Sequence, residues 1–137
     1  MREILFRGKR TDTGKWVEGD LLHNRIDGQE NERRLGDIYF TQGEEIHGTA
    51  VYNVIPETIG QYTGLTDRNG KRIFEGDIVK FGDILGIINY GTGCYCVKTN
   101  KPDWRARNNP AIDIVINEYP NEIEIIGNIH DNPDLLN

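Results

Sequence analysis

The stretch FEGDIV at residues 74–79 decides the interpretation of this chain, because a near copy, VEGDLL, occurs at residues 17–22. Each copy comes shortly after a Gly-Lys pair and ends in two aliphatic residues. Glycine reaches backbone angles that other residues avoid, and aspartate accepts hydrogen bonds from nearby backbone N–H groups. We therefore predict that both copies are structural turns that bend the chain and start a strand. The predicted turn residues are Gly19, Asp20, Gly76 and Asp77.

Two explanations of the repeat remain open: a weak internal duplication, or the same turn sequence arising twice independently. Its Glu and Asp carboxylates also resemble a general acid/base pair. Paired carboxylates are common, however, and the sequence supplies no pocket around either copy. We therefore interpret the repeat as a marker of fold.

The length and composition indicate one domain made of short strands and tight turns. A chain of 137 residues suits a single domain over residues 1–137. Its 16 glycines exceed the usual frequency of about 7%, which favours many turns. We expect an N-terminal β-hairpin region at residues 1–56 and a barrel region at residues 57–137.

Strand signals recur every eight to twelve residues or so and fill nearly the whole chain. Closing a sheet of several short strands removes its exposed edges. We therefore predict a mainly β protein with little helix, in which the C-terminal half forms a small closed or nearly closed barrel, and residues 131–137 form a short helical turn. The predicted strands are residues 3–9, 16–24, 36–40, 49–55, 58–65, 74–81, 83–91, 94–100, 112–117 and 122–129.

Targeting signals and cofactor motifs do not emerge from the sequence. No apolar run approaches the ~18 residues of a membrane helix, and the N-terminus lacks a signal-peptide pattern, so we expect a cytoplasmic protein without a membrane partner. Cys94 and Cys96 lie two apart, where a disulfide would strain an extended chain. We interpret them as two reduced thiols and expect neither a metal nor another cofactor.

The net charge of −6 arises in the last thirty residues, because residues 108–137 contain six acidic side chains and no Lys or Arg. Directly before them lies a basic segment with one tryptophan. Such a segment can stack on bases and contact phosphates, and opposite charges can pair identical chains in a homo-oligomer. Ordinary solvated faces remain the alternative. The candidate interaction surface consists of Lys98, Lys101, Trp104, Arg105 and Arg107.

Three blocks of sequence resemble the YopX family of phage and prophage proteins. The blocks are FRGKRTDTGKWVEGDLL (6–22), IGQYTGLTDRNGKRIFEGDIVKF (59–81) and IGNIHDNPDLL (126–136), in the order expected for that family. The resemblance implies a bacteriophage or prophage protein that acts in the bacterial cytoplasm. It also implies an SH3-type β-barrel in the C-terminal part. It supplies no established activity and no catalytic residues.

These observations favour a non-enzymatic protein-interaction or assembly module with an unidentified protein partner, for which a further copy of the chain is one candidate. Two alternatives remain open. A nucleic-acid-associated accessory protein would use the basic loop from Lys98 to Arg107, although an isoelectric point near 5.0 disfavours phosphate binding. An unrecognised enzyme would need tertiary structure to assemble a site, since His23, His47 and His130 are scattered and match no motif.

Overall fold

The computed structural model describes residues 3–23, 36–40, 50–91, 93–100 and 110–136. The chain divides into two compact units, Met1–Gln61 and Tyr62–Asn137. The boundary expected from the sequence lay a few residues earlier, after residue 56. His47 and most of the basic loop fall outside the described residues.

The N-terminal unit is built on an antiparallel sheet in the order β4-β3-β2-β1. A 3-10 turn at Pro56–Thr58 follows β4, and the first residues of β5 pair with β1. Each strand lies on a stretch predicted from the sequence. The strands are β1 (Phe6–Lys9), β2 (Trp16–His23), β3 (Gly36–Phe40), β4 (Ala50–Asn53) and β5 (Gly60–Thr66).

A glycine and a threonine hold the 3-10 turn against β1. A side chain at Gly8 would begin 3.0 Å from Cβ of the fully buried Val54, so only glycine fits here without displacing its neighbour. The backbone N–H of Lys9 donates to Oγ1 of Thr58 at 2.9 Å, and the Thr58 hydroxyl donates to the Ile55 carbonyl at 2.6 Å. These contacts fix the end of β1.

The C-terminal unit contains a second antiparallel sheet in the order β10-β7-β8-β9. The prediction of a mainly β protein is confirmed. The sheet is open in the described residues, with β10 and β9 at its two edges, so the closed SH3-type barrel is not seen there. The remaining elements are β6 (Arg72–Phe74), β7 (Asp77–Phe81), β8 (Ile84–Gly91), β9 (Cys94–Thr99), α1 (Ile112–Glu118), β10 (Glu124–Asn128) and a 3-10 turn at Pro133–Leu136.

The strand predicted at residues 112–117 is wrong, because this segment forms helix α1. Alternating isoleucines suggested a strand, but Ile112, Val115 and Tyr119 are spaced as neighbours on one helical face. Ile112 and Val115 are buried in the core of the unit, and the Tyr119 ring meets Phe81 edge-on at 5.1 Å between centroids. Packing of this face against the sheet stabilises a helix that its β-branched residues alone disfavour.

The two Glu-Gly-Asp copies have different structures. Gly76 lies in the turn between β6 and β7 with φ of 88°, and Oδ2 of Asp77 accepts a hydrogen bond from the Phe74 N–H at 2.8 Å. The bend predicted at Gly19 and Asp20 is wrong, because both lie inside the continuous strand β2. There Gly19 pairs with β1 and Asp20 pairs with β3. Pairing with two neighbours keeps β2 extended.

Candidate functional site

Of the five residues in the predicted interaction surface, only Lys98 lies in the described part of the chain. It is exposed on the edge strand β9. Lys101, Trp104, Arg105 and Arg107 lie outside the described residues. That surface therefore stays a prediction from the sequence.

The structure brings together a different group of basic and aromatic side chains, on the β1–β2 hairpin. The guanidinium carbon of Arg7 lies 4.7 Å from the ring centroid of Trp16, and Nζ of Lys9 lies 5.8 Å from it. Both cations are within the distance at which an indole ring attracts positive charge. Because Glu18 pairs with Arg7 across the strands, it belongs to the same face. We call Arg7, Lys9, Trp16 and Glu18 the Trp16 surface.

The geometry of the hairpin explains why these residues meet. Arg7 and Lys9 are two apart in β1, so their side chains leave the same face of the strand. The turn between β1 and β2 is closed by a hydrogen bond from the Arg10 N–H to the Lys15 carbonyl at 2.9 Å, with Gly14 at φ of 69°. This turn sets the register in which Lys9 opposes Trp16. All four members of the Trp16 surface are half-buried.

Sequence analysis missed the Trp16 surface, although a signal for it was present. The tryptophan follows directly on a turn-forming TDTGK stretch, and two basic residues alternate on the strand before that turn. Folding the stretch as a hairpin would have placed the cations opposite the ring. The basic segment from Lys98 to Arg107 has more positive charges close together in the sequence, so the interaction surface was predicted there.

A second stacked cation lies at the turn of the hairpin. The guanidinium carbon of Arg10 lies 4.2 Å from the ring centroid of Tyr52. The same guanidinium binds Asp12 in a bidentate pair, with Nε–Oδ1 of 2.9 Å and Nη2–Oδ2 of 2.7 Å. The hydrogen bond from Arg10 lowers the pKa of the Asp12 carboxyl. The charge of Arg10 is thus compensated locally.

The two cysteines form a thiol pair on β9. Their Sγ atoms lie 3.3 Å apart, and both thiols are free. Burial, and then the adjoining Cys94 thiol, raise the pKa of Cys96 to about 11. Across the described ranges, His, Cys, Asp and Glu side chains nowhere gather in a group of three or more that could hold a metal ion.

Helices in the described part of the chain lack the combination of length and hydropathy that a bilayer crossing requires.

Close to the C-terminus, the side chain of Asn128 organises a turn. Its Oδ1 accepts hydrogen bonds from the N–H groups of His130 at 3.0 Å and Asp131 at 2.9 Å. The backbone of His130 is thereby held in this turn.

Comparison with known proteins gives a family and a matching fold. A family model described as YopX protein matches residues 5–137. The crystal structure of protein EF1440 from Enterococcus faecalis matches with 24% sequence identity and a TM-score of 0.59, over 100% of both chains. At this identity the likeness concerns the fold alone. A search of curated proteins finds no match.

The fold defines a class of small, mainly β proteins with two compact units, each containing antiparallel strands. Nearly the whole length is accounted for by a single family description. The chain belongs to the YopX protein family.

Proposed function

We propose that this protein is a non-enzymatic protein-interaction module, encoded by a phage or prophage and active in the bacterial cytoplasm. Its binding face is the Trp16 surface. The observation that carries the proposal is the stacking of Arg7 and Lys9 on the Trp16 ring. The phage origin rests on membership of the YopX family.

The composition of the Trp16 surface suits a protein partner. Tryptophan and arginine are enriched where binding energy concentrates in protein interfaces. Contacts between the two cations and the ring also hold long side chains in one arrangement before a partner arrives. Less side-chain entropy is then lost on binding. Since Trp16 is only half-buried, part of its side chain remains open to contact.

The charges around the ring favour a polypeptide over nucleic acid. Glu18 opposes Arg7 across the hairpin, and the exposed Asp20 lies two residues further along β2 on the same face. Asp12 compensates Arg10 at the turn of the hairpin. A nucleic-acid phosphate backbone favours a uniformly positive surface. A folded protein or peptide carries charges of both signs and can therefore match a surface that does too.

Affinity capture from bacteria that carry the phage tests this proposal. Wild-type protein is compared with Trp16→Ala, in lysates divided into nuclease-treated and untreated halves. We expect a specific protein to be recovered in both halves by the wild type and lost with Trp16→Ala. Recovery that disappears on nuclease treatment would favour the nucleic-acid alternative and contradict the proposal.

Two further variants separate loss of the binding face from loss of the fold. Tyr90→Ala removes an aromatic side chain that is 59% exposed in the other unit, and it should leave recovery unchanged. Trp16→Phe keeps an apolar ring but weakens the attraction for cations, so recovery should be intermediate. Circular dichroism melting of each variant confirms that the protein used in the capture is folded.

A further copy of the chain is the partner that the charge distribution favours. Six acidic side chains and no Lys or Arg follow directly after the segment from Lys98 to Arg107. Identical chains with both signs can pair reciprocally about a two-fold axis. In the capture experiment, this partner would appear as untagged protein of the same mass.

A further inference from the structure

The thiol pair on β9 shares one face of the sheet with an asparagine of β8. Cys94 and Cys96 are two residues apart in the strand, so their side chains leave the same face. Asn89 is the direct cross-strand partner of Cys96, and Gly91 is the partner of Cys94. Directly opposed residues project to the same side. Two sulfur atoms and one amide group therefore share one face of the β8–β9 hairpin.

The separation of the sulfur atoms suits a shared ligand better than a disulfide. A disulfide needs Cβ atoms about 3.8 Å apart, while residues two apart in a strand are separated by ~6.6 Å along the chain. A direct bond would therefore force the backbone of β9 to move. One central atom, held by two bonds of ~2.3 Å at the tetrahedral angle, spaces its sulfur ligands ~3.8 Å apart. The observed Sγ–Sγ distance of 3.3 Å is closer to that spacing than to the ~2.05 Å of a disulfide bond.

Oxygen atoms complete the surroundings of the thiol pair. The Gly91 carbonyl oxygen lies 3.6 Å from Sγ of Cys94 and 3.7 Å from Sγ of Cys96. Oδ1 of Asn89 is buried and accepts no hydrogen bond from the described residues. Buried polar atoms are nearly always partnered by protein, water or an ion. An oxygen acceptor to which no described residue donates thus lies on the same face as the two sulfurs.

We propose that Cys94 and Cys96 form a two-thiolate site for a soft or borderline divalent cation of the Zn²⁺ and Cd²⁺ class, with Asn89 Oδ1 as an oxygen ligand. Thiolates select such cations over Mg²⁺ and Ca²⁺. Binding replaces the proton on each sulfur, so one cation displaces two protons and no electron is transferred. The ion would join β9 to β8 through side chains, in addition to the backbone ladder. The site is independent of the proposed role of the Trp16 surface.

Titration of the reduced full-length chain with Cd²⁺ alone tests the site. Binding of Cd²⁺ to thiolates produces an ultraviolet charge-transfer band, and calorimetry gives the stoichiometry. We expect one ion per chain and loss of the band in Cys94→Ser and in Cys96→Ser. Asn89→Ala should weaken binding about tenfold or more, while Asn117→Ala, the same change at an exposed position of α1, should leave the affinity unchanged.

Protection of the wild-type thiols from alkylation provides a measurement that does not depend on how the variants fold. With Cd²⁺ bound, mass spectrometry should show both cysteines unmodified after a pulse of iodoacetamide that modifies Cys94 in the free chain. A reduced chain that takes up no Cd²⁺ would overturn the proposal. Equal uptake by the Cys94→Ser/Cys96→Ser double variant would overturn it as well, because the ion would then lie elsewhere.

Discussion

Replacing Asp67 should lower the stability of the C-terminal unit more than replacing an exposed carboxylate does. This side chain is only 7% exposed and lies where β5 gives way to the turn before β6. Its Oδ1 accepts hydrogen bonds from the N–H groups of Asn69 and Lys71, each at 2.9 Å. Its Oδ2 accepts from the N–H of Ile125 at 3.0 Å, which joins the turn to β10 across 58 residues of sequence.

The magnitude follows from these three donors. A hydrogen bond to a charged group contributes ~1.5–3 kcal/mol, and a buried donor left unsatisfied costs ~1–3 kcal/mol. In Asp67→Ala all three donors lose a charged acceptor, and water replaces part of that loss because the three bonds are only part-buried. We therefore expect Asp67→Ala to lower the free energy of unfolding by about 2–4 kcal/mol, and Asp67→Asn by somewhat less.

Urea unfolding followed by far-ultraviolet circular dichroism measures this loss, with hydrogen exchange at the Ile125 amide as a local probe. The matched control is Asp134→Asn, which makes the same chemical change at an exposed residue and should stay within about 0.5 kcal/mol of the wild type. Equal unfolding midpoints for Asp67→Asn and Asp134→Asn, with unchanged exchange at Ile125, would refute the reasoning.

The same carboxylate predicts how stability depends on pH. Burial alone would raise the pKa of Asp67, but the hydrogen bonds from Ile125, Lys71 and Asn69 outweigh it and lower the pKa. A folded-state pKa below the unfolded value of about 3.9 adds stability above that value, and this stability is lost as the pH falls through the folded pKa. The difference between wild type and Asp67→Asn should therefore shrink below about pH 4. A difference that is constant from pH 7 to pH 3 would contradict this assignment.

Two other predictions concern packing and assembly. Gly86→Ala should lower the free energy of unfolding by roughly 1–3 kcal/mol, because the new Cβ would lie 2.3 Å from Cγ1 of the buried Val97. Gly91→Ala in the same strand places its Cβ where no atom lies within 4 Å, so it should be close to neutral. Equal melting temperatures for the two variants would contradict this packing argument. Arg105→Glu combined with Arg107→Glu should weaken self-association, because the two changes reverse the charge of the basic segment. Sedimentation is measured at low salt, since ion pairs at the surface are screened as salt rises. A wild type that stays monomeric at high concentration and low salt would exclude that idea.

The sequence predicted most strands well because their signals are local. β3 matches its predicted range residue for residue, and β8 differs by one residue at its start. Alternating apolar residues bounded by turn formers define such strands without reference to the rest of the chain. Helix α1 was missed for the opposite reason. Its helical face is recognised only when Val115 and Tyr119 are seen packing on the sheet.

The candidate site depends on pairing that the sequence does not carry. The Glu-Gly-Asp phrase forms a turn at Gly76, between the ends of β6 and β7, but at Gly19 it lies where β2 passes without a break from pairing with β1 to pairing with β3. The Trp16 surface likewise depends on the register set by the hairpin turn. Closure of a sheet into a barrel is also a tertiary property, so the number of predicted strands did not determine whether the sheet closes.

The dissociation constant for the captured protein partner tests the central proposal most directly. It is measured with nuclease-treated components, using wild type, Trp16→Ala and Tyr90→Ala. Loss of an interface hot spot of about 2 kcal/mol or more weakens binding roughly thirtyfold, and we predict at least this loss for Trp16→Ala and none for Tyr90→Ala. A folded Trp16→Ala variant that binds the partner as tightly as the wild type would contradict the role of the Trp16 surface.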